Sequence, residues 1–152
     1  MIIKKAEIEN LQAILDLQYL AYQSEAKLFN DYDIPPLKQT LQDVLSEYQK
    51  GIFLIALDEN SKIIGSVRGY LSNGTVYIGK LFVHPQNQGE GIGSKLLMAI
   101  EHEFPNQRYE LFTSTRSKKN IELYQKLGYT IFNEKKMSTE LVFVYLEKSI
   151  CL

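Results

Sequence analysis

The residues from Val76 to Glu101, VYIGKLFVHPQNQGEGIGSKLLMAIE, impose a strand, a glycine-rich turn and a helix in direct succession. Val76, Tyr77, Ile78, Leu81, Phe82 and Val83 make the first part apolar or aromatic, the composition of a pleated, largely buried central strand. Pro85 ends it, because proline has no N–H to give a ladder and restricts His84 before it. Gly89, Gly91 and Gly93 then run into an amphipathic stretch with Ile92, Leu96, Ala99, Ile100 and Glu103 at helical spacing, so the glycines sit where a helix begins. Alternating glycines let the backbone bend tightly and leave no Cβ in front of its N–H groups. The first turn of the helix adds unpaired donors at the positive end of the dipole. The stretch is an anion site, and phosphate is the anion it suits best.

Spacing narrows the phosphate ligand. GxxxxGK[ST] is not met, since Ser94 separates Gly93 from Lys95, and G-x-G-x-x-G fails because Gly93 comes one residue early. Gln88-Gly89-Glu90-Gly91-Ile92-Gly93 instead resembles the Q/R-x-x-G-x-G/A turn of the GNAT superfamily of acyl-CoA-dependent N-acetyltransferases. Downstream, SKKNIELYQKLGY from Ser117 to Tyr129 is similar to the second motif of that superfamily, which ends L-Y-x-K-x-G-F/Y. Taken alone, the first motif is also compatible with a merely structural turn; two motifs in this order and separation make the signal specific.

The remaining chain supplies the elements around this unit. Ile2 to Ile8 reads as a strand with Asn10 as a helix N-cap, and Leu11, Ile14, Leu17 and Ala21 mark a helix to about Gln23. Ser24 to Pro36 reads as a loop or broken helix. Proline at a first helical position then opens a second helix with Leu37, Leu41, Val44, Leu45 and Tyr48 on one side, stopped at Gly51. Ile52 to Leu57 and Lys62 to Ser72 are strands, and Asn73-Gly74 ties the second antiparallel to the Val76–Val83 strand. Arg108 to Thr113 follows the glycine-turn helix and should run parallel to Val76–Val83. Ser117 can cap a helix that ends at Gly128, and Tyr129 to Lys135 and Leu141 to Glu147 close the chain as a strand pair. The expected class is α+β: a mixed, mostly antiparallel sheet of six to seven strands with about four helices, forming a single domain over residues 1–152.

The resemblance implies a sheet that splays open between the Val76–Val83 and Arg108–Thr113 strands, with the pantetheine arm of acetyl-CoA in the gap. It implies pairing to the backbone of Leu81, Phe82 and Val83, and a pyrophosphate on the N–H groups of Gln88, Gly89, Glu90, Gly91, Ile92, Gly93 and Ser94. Tyr124 falls where the family places a general-acid tyrosine, against the alternative of a core tyrosine on an amphipathic helix. Asn120, one turn earlier, is a pantetheine contact in this reading. Relatives often place that asparagine seven residues before the tyrosine, where this chain has Ser117. Lys95 and Lys126 are candidate phosphate partners. Backbone N–H groups near Leu81 and Val83 would polarise the thioester carbonyl.

The strand residues Ile78-Gly79-Lys80-Leu81 offer no carboxylate as general base, which leaves water or Glu25, Asp31 and Asp33. Those acids share an irregular stretch with Tyr19, Tyr22, Phe29 and Tyr32, and that stretch is a candidate surface for a cationic amine. Arg68 and Arg116 could line the same cleft. The activity implied is acetyl transfer from acetyl-CoA to a primary amine, on a small molecule or a peptide, by direct attack. The alternative is a CoA-binding regulatory or interaction module that has kept the fold and lost turnover.

Seventeen basic against eighteen acidic residues give a net charge of −1, which offers no electrostatic case for nucleic acid. The apolar runs are too short to span a bilayer, and MIIKKAEIEN lacks signal-peptide order, so the location expected is cytoplasmic with no membrane partner. Cys151 is the only cysteine, and with His84 and His102 the only histidines no metal site is expected. Oligomeric state stays open, a homodimer included.

Overall fold

The computed structural model describes residues 1–149; Cys151 lies outside them. In chain order the elements are β1 (Ile2–Lys5), α1 (Leu11–Phe29), α2 (Pro35–Lys38), α3 (Leu41–Lys50), β2 (Ile52–Leu57), β3 (Ile63–Ser72), β4 (Thr75–Val83), α4 (Ile92–Glu103), β5 (Arg108–Ser114), α5 (Lys118–Lys126), β6 (Thr130–Lys136) and β7 (Val142–Lys148). The strands form one seven-stranded sheet in the order β1-β2-β3-β4-β5-β7-β6, antiparallel throughout except for the β4–β5 pair. The expected α+β class, mixed sheet and parallel crossover are all present.

Successive side chains of a strand face opposite ways, and β2 shows what this does to a continuous apolar run. Leu54 and Ala56 join a core with Leu96, Leu97 and Ile100 of α4, whereas Phe53 and Ile55 join a second core with Leu11, Ile14 and Val44 of α1 and α3. The sheet is thus covered on both faces. Among the described residues no helix is long and apolar enough to cross a membrane.

Three expected elements differ. β1 stops at Lys5, and Glu7 then starts a short 3-10 turn in which its N–H donates to Asn10 Oδ1 at 2.8 Å. Asn10 therefore closes the turn before α1, with no side-chain bond into α1 itself. α1 continues through Ser24 to Phe29, because nothing breaks the backbone before Asn30, whose left-handed φ of 53° returns its N–H to Ala26 and Lys27. The helix expected after Pro35 is two helices: Thr40 Oγ1 accepts from the Asp43 N–H at 3.2 Å and Asp43 Oδ2 from the Thr40 N–H at 2.9 Å. This reciprocal cap starts α3 afresh and leaves Gln39 extended.

Two irregularities position the site. β4 and β5 pair only at Thr75–Arg108, Val76–Tyr109 and Tyr77–Glu110; beyond Tyr77 they part, β4 staying with β3 and β5 with β7. Just past that point β4 carries a bulge. Ser66 is opposite Phe82 and Arg68 opposite Gly79, so Lys80 and Leu81 together stand against Val67, with Lys80 at a left-handed φ of 49°.

Candidate functional site

Parting the strands opens two clefts. The first, of about 640 Å³, runs between β4, the glycine turn, α5 and the C-terminal half of α1. Its strand wall is Leu81, Phe82 and Val83, and its turn wall is Gln88, Gly89, Gly91, Ile92, Gly93 and Ser94. Gly89 and Gly91 adopt φ of 81° and 79°, a region glycine enters without a Cβ penalty, and Gly91 is the N-cap of α4. The first bond back into the helix is Lys95 N–H to Gly91 O at 3.2 Å, so the N–H groups of residues 92–94 have no intrahelical partner. These donors and the two left-handed glycines line the first cleft at the turn where the sequence leads one to expect an anion.

Opposite the turn, Asn120 and Leu123 of α5 line the cleft, with Arg116, Lys118 and Lys119 giving that end a positive rim. Asn120 Nδ2 lies 3.5 Å from Thr113 Oγ1, and Ser117 Oγ is enclosed without a hydrogen-bond partner among the described residues. Lys95 and Lys126, the cationic partners expected from the sequence, do not line the cleft; the Arg116-Ser117-Lys118-Lys119 run is the sequence signal for the rim. Glu90 is exposed on the outside of the turn.

Tyr124 sits behind this wall, 6% exposed, with its ring centroid 6.2 Å from that of Tyr129. No hydrogen bond ties its hydroxyl among the described residues, and it is not one of the enclosed polar atoms left unpaired, so the phenol oxygen borders open space. Burial, then the Glu25 charge, raises its pKa well above the ordinary phenol range, which keeps it protonated. Tyr22 is raised in the same way by burial, Glu25 and Tyr124, and its ring meets Phe82 edge-on at 6.0 Å. Glu25, which lines the first cleft, is itself raised by burial.

The other acids of the α1–α2 segment do not converge with it. Asp33 is exposed beside Lys38 at 3.9 Å, Asp31 accepts from the Asp33 N–H at 2.9 Å, and Tyr32 is exposed. Tyr19 donates its hydroxyl to Gln39 O. The expected acid and aromatic surface is therefore divided: Glu25 and Tyr22 belong to the first cleft, Tyr19 packs against the second core, and Asp31, Tyr32 and Asp33 are exposed.

The second cleft, of about 490 Å³, lies on the other side of the bulge and draws on α3, β2, β3, β4, β5 and β7. Tyr70 and Tyr77, stacked at 5.3 Å, form one aromatic wall, and Phe112 and Tyr145, 5.4 Å apart, form the other. Beneath them Arg68, 6% exposed, lies 4.4 Å over the Phe53 ring and donates to Gln18 Oε1 at 2.7 Å, to Gln39 Oε1 at 3.3 Å and to Glu47. Burial lowers the Arg68 pKa, with Glu47 opposing that shift. No sequence spacing marks this cleft, because its residues come from six elements. Leu81 faces the first cleft and Lys80 the second, so the two meet at neighbouring bulge residues.

A sequence model of the acetyltransferase (GNAT) family matches residues 11–129. The UPF0157 protein YqkA of Bacillus subtilis (strain 168) is 26% identical over 117 residues, covering 76% of this chain and 33% of that protein, so the chain spans about a third of the length of this curated relative. Among solved structures, the fold is similar to that of the PaiA N-acetyltransferase of Thermoplasma acidophilum in complex with coenzyme A. That likeness has a TM-score of 0.80 at 17% identity and covers 98% of both chains. It is equally similar to the ribosomal-protein-S18-alanine N-acetyltransferase of Escherichia coli, with a TM-score of 0.80 at 16% identity over 99% of this chain and 95% of that one.

Proposed function

Because the chain belongs to the acetyltransferase (GNAT) family, we propose that it moves an acetyl group from acetyl-CoA to a primary amine by direct attack, with acetyl-CoA in the first cleft and the amine in the second. The observation that carries this reading is the parting of β4 from β5 after Tyr77, which leaves one edge of β4 without a ladder partner where the two clefts meet. An edge of this kind accepts an extended amide-bearing chain as an added strand. Leu81, Phe82 and Val83 would pair with the pantetheine amides, and an N–H of the same segment would polarise the thioester carbonyl. The free N–H groups of residues 92–94 suit the pyrophosphate, and Arg116, Lys118 and Lys119 suit the remaining phosphate charge. Asn120, which lines the opposite wall, would hold the pantetheine arm.

Tyr124 is the general acid in this reading. Its buried phenol stays protonated through ordinary pH and can give its proton to the departing sulfur. The aromatic walls of the second cleft favour an acceptor that carries an apolar or aromatic group next to its amine. The test is free-thiol release from acetyl-CoA across a panel of primary amines, with product mass as confirmation. Amine-dependent release and an acetylated amine are expected. Acetyl-CoA binding with no amine-dependent release would overturn the enzyme and leave a cofactor-binding module.

A further inference from the structure

We propose that Lys80, in its neutral form, is the base that removes the proton from the acceptor's ammonium group. The inference rests on acetyl transfer as proposed above and supplies its missing proton acceptor. Three observations at the bulge carry it. Lys80 lines the second cleft while its neighbour Leu81 lines the first, so its amine belongs to the residue at which acceptor and acyl donor would meet. Its φ of 49° is unfavourable for a residue with a Cβ. Strained positions of this kind cluster where function fixes a side chain's direction. Finally, Lys80 forms no ion pair among the described residues.

The surroundings decide its charge. Glu47 and Lys50 face it from α3, Arg68 from β3 and Glu110 from β5, with the phenols of Tyr70, Tyr77 and Tyr145 completing the titratable groups. Both carboxylates are already engaged: Glu47 with Arg68 and Gln39, and Glu110 with Arg108 at 2.8 Å. Burial lowers the Lys80 pKa most, Arg68 lowers it further, and Glu47 opposes them. The net direction is down, which raises the neutral fraction above that of a surface lysine.

The proton balance closes. Lys80 Nζ takes one proton from the ammonium and later releases it to water. The freed nitrogen lone pair attacks the carbonyl carbon; the C–N bond forms, the C–S bond breaks and its electron pair goes to sulfur. Tyr124 protonates the sulfur, and a second nitrogen proton restores the Tyr124 phenol. The products are the amide and the free thiol.

Two isosteric probes test the assignment: 2-phenylethylamine, a cation at neutral pH, and O-benzylhydroxylamine, which is already neutral there. Lys80→Met and Lys80→Gly both remove the amine, and glycine also suits the left-handed backbone, so the second variant keeps the fold if the first does not. For either variant, kcat/KM for 2-phenylethylamine should fall roughly 10²-fold or more, recovering only toward the pKa of the substrate itself, while O-benzylhydroxylamine, which needs no base, should lose far less. Equal losses with both probes would make Lys80 structural, and no loss with either would make it a bystander; each overturns the inference. Calorimetry with acetyl-CoA separates the levels. If wild-type protein binds no acetyl-CoA, the acetyltransferase reading and Lys80 fall together. If it binds and acetylates both probes in the wild-type and in the Lys80 variants alike, only Lys80 falls.

Discussion

Replacing Gly93 by alanine should make the protein more stable and worse at binding acetyl-CoA, a pairing that a purely structural glycine does not produce. Gly93 lies in the first turn of α4 with an ordinary helical φ, and a Cβ built there meets Leu123 Cδ2 at 3.6 Å and Val83 Cγ2 at 3.9 Å, both ordinary contacts. The protein can therefore accept the methyl. Alanine in place of glycine at a compatible position restricts the unfolded chain and stabilises by about 0.4–1 kcal/mol, a rise in Tm of roughly 1–4 °C at this size. Leu123 and Val83 are facing walls of the first cleft, so the same methyl enters the space assigned to acetyl-CoA. Overpacking of this kind costs about 1–3 kcal/mol, or roughly 5- to 150-fold in Kd. Gly91 cannot separate the two effects, since its φ of 79° strains any side chain even though a Cβ there meets nothing within 4 Å. Scanning calorimetry and titration with acetyl-CoA read both quantities on one sample. A higher Tm with unchanged Kd would refute the placement of the ligand against α4.

Tyr124→Phe should keep acetyl-CoA affinity and lower kcat roughly 10²–10⁴-fold, as measured by thiol release; an unchanged kcat would return Tyr124 to the core as a packing residue. Glu25→Gln should stabilise the ligand-free protein at neutral pH, because burial raises the Glu25 pKa and the fold thus favours its protonated form. The wild-type penalty is absent below the ordinary carboxyl range and complete above the raised folded value, so urea midpoints of the two proteins should differ at neutral pH and converge in acid. A wild-type protein more stable than Glu25→Gln at neutral pH would mean that the carboxylate has a partner in the fold.

The parts of the fold legible in the sequence are those fixed by neighbours in the chain. Asn73-Gly74 takes left-handed φ values of 50° and 80° and closes the β3–β4 hairpin as its composition requires. The glycine turn was legible for the same reason, since backbone freedom and free helix N–H groups are properties of consecutive residues. The continuation of α1 to Phe29 was not, because its apolar stripe lapses at Ser24 while its backbone does not, and periodicity reports burial rather than helicity. The split between α2 and α3 was written in Thr40 and Asp43, a capping pair inside an amphipathic pattern that reads as continuous. The second cleft is another matter. Glu47, Arg68, Lys80 and Glu110 come together through sheet register, the β4 bulge and the packing of α3 on the sheet, and no spacing along the chain encodes that. Lys80 still left one trace, as the lone charge in an otherwise apolar strand.

The central claim is that acetyl-CoA occupies the cleft between the unpaired edge of β4 and α5. Hydrogen–deuterium exchange of the whole protein, with and without acetyl-CoA, tests it without any knowledge of the acceptor. Protection should appear at Leu81–Val83, across Gly89–Ser94 and at the start of α5, with the walls of the second cleft at Tyr70 and Phe112 unchanged. Binding accompanied by protection confined to the second cleft, or by none at the glycine turn, would contradict the account.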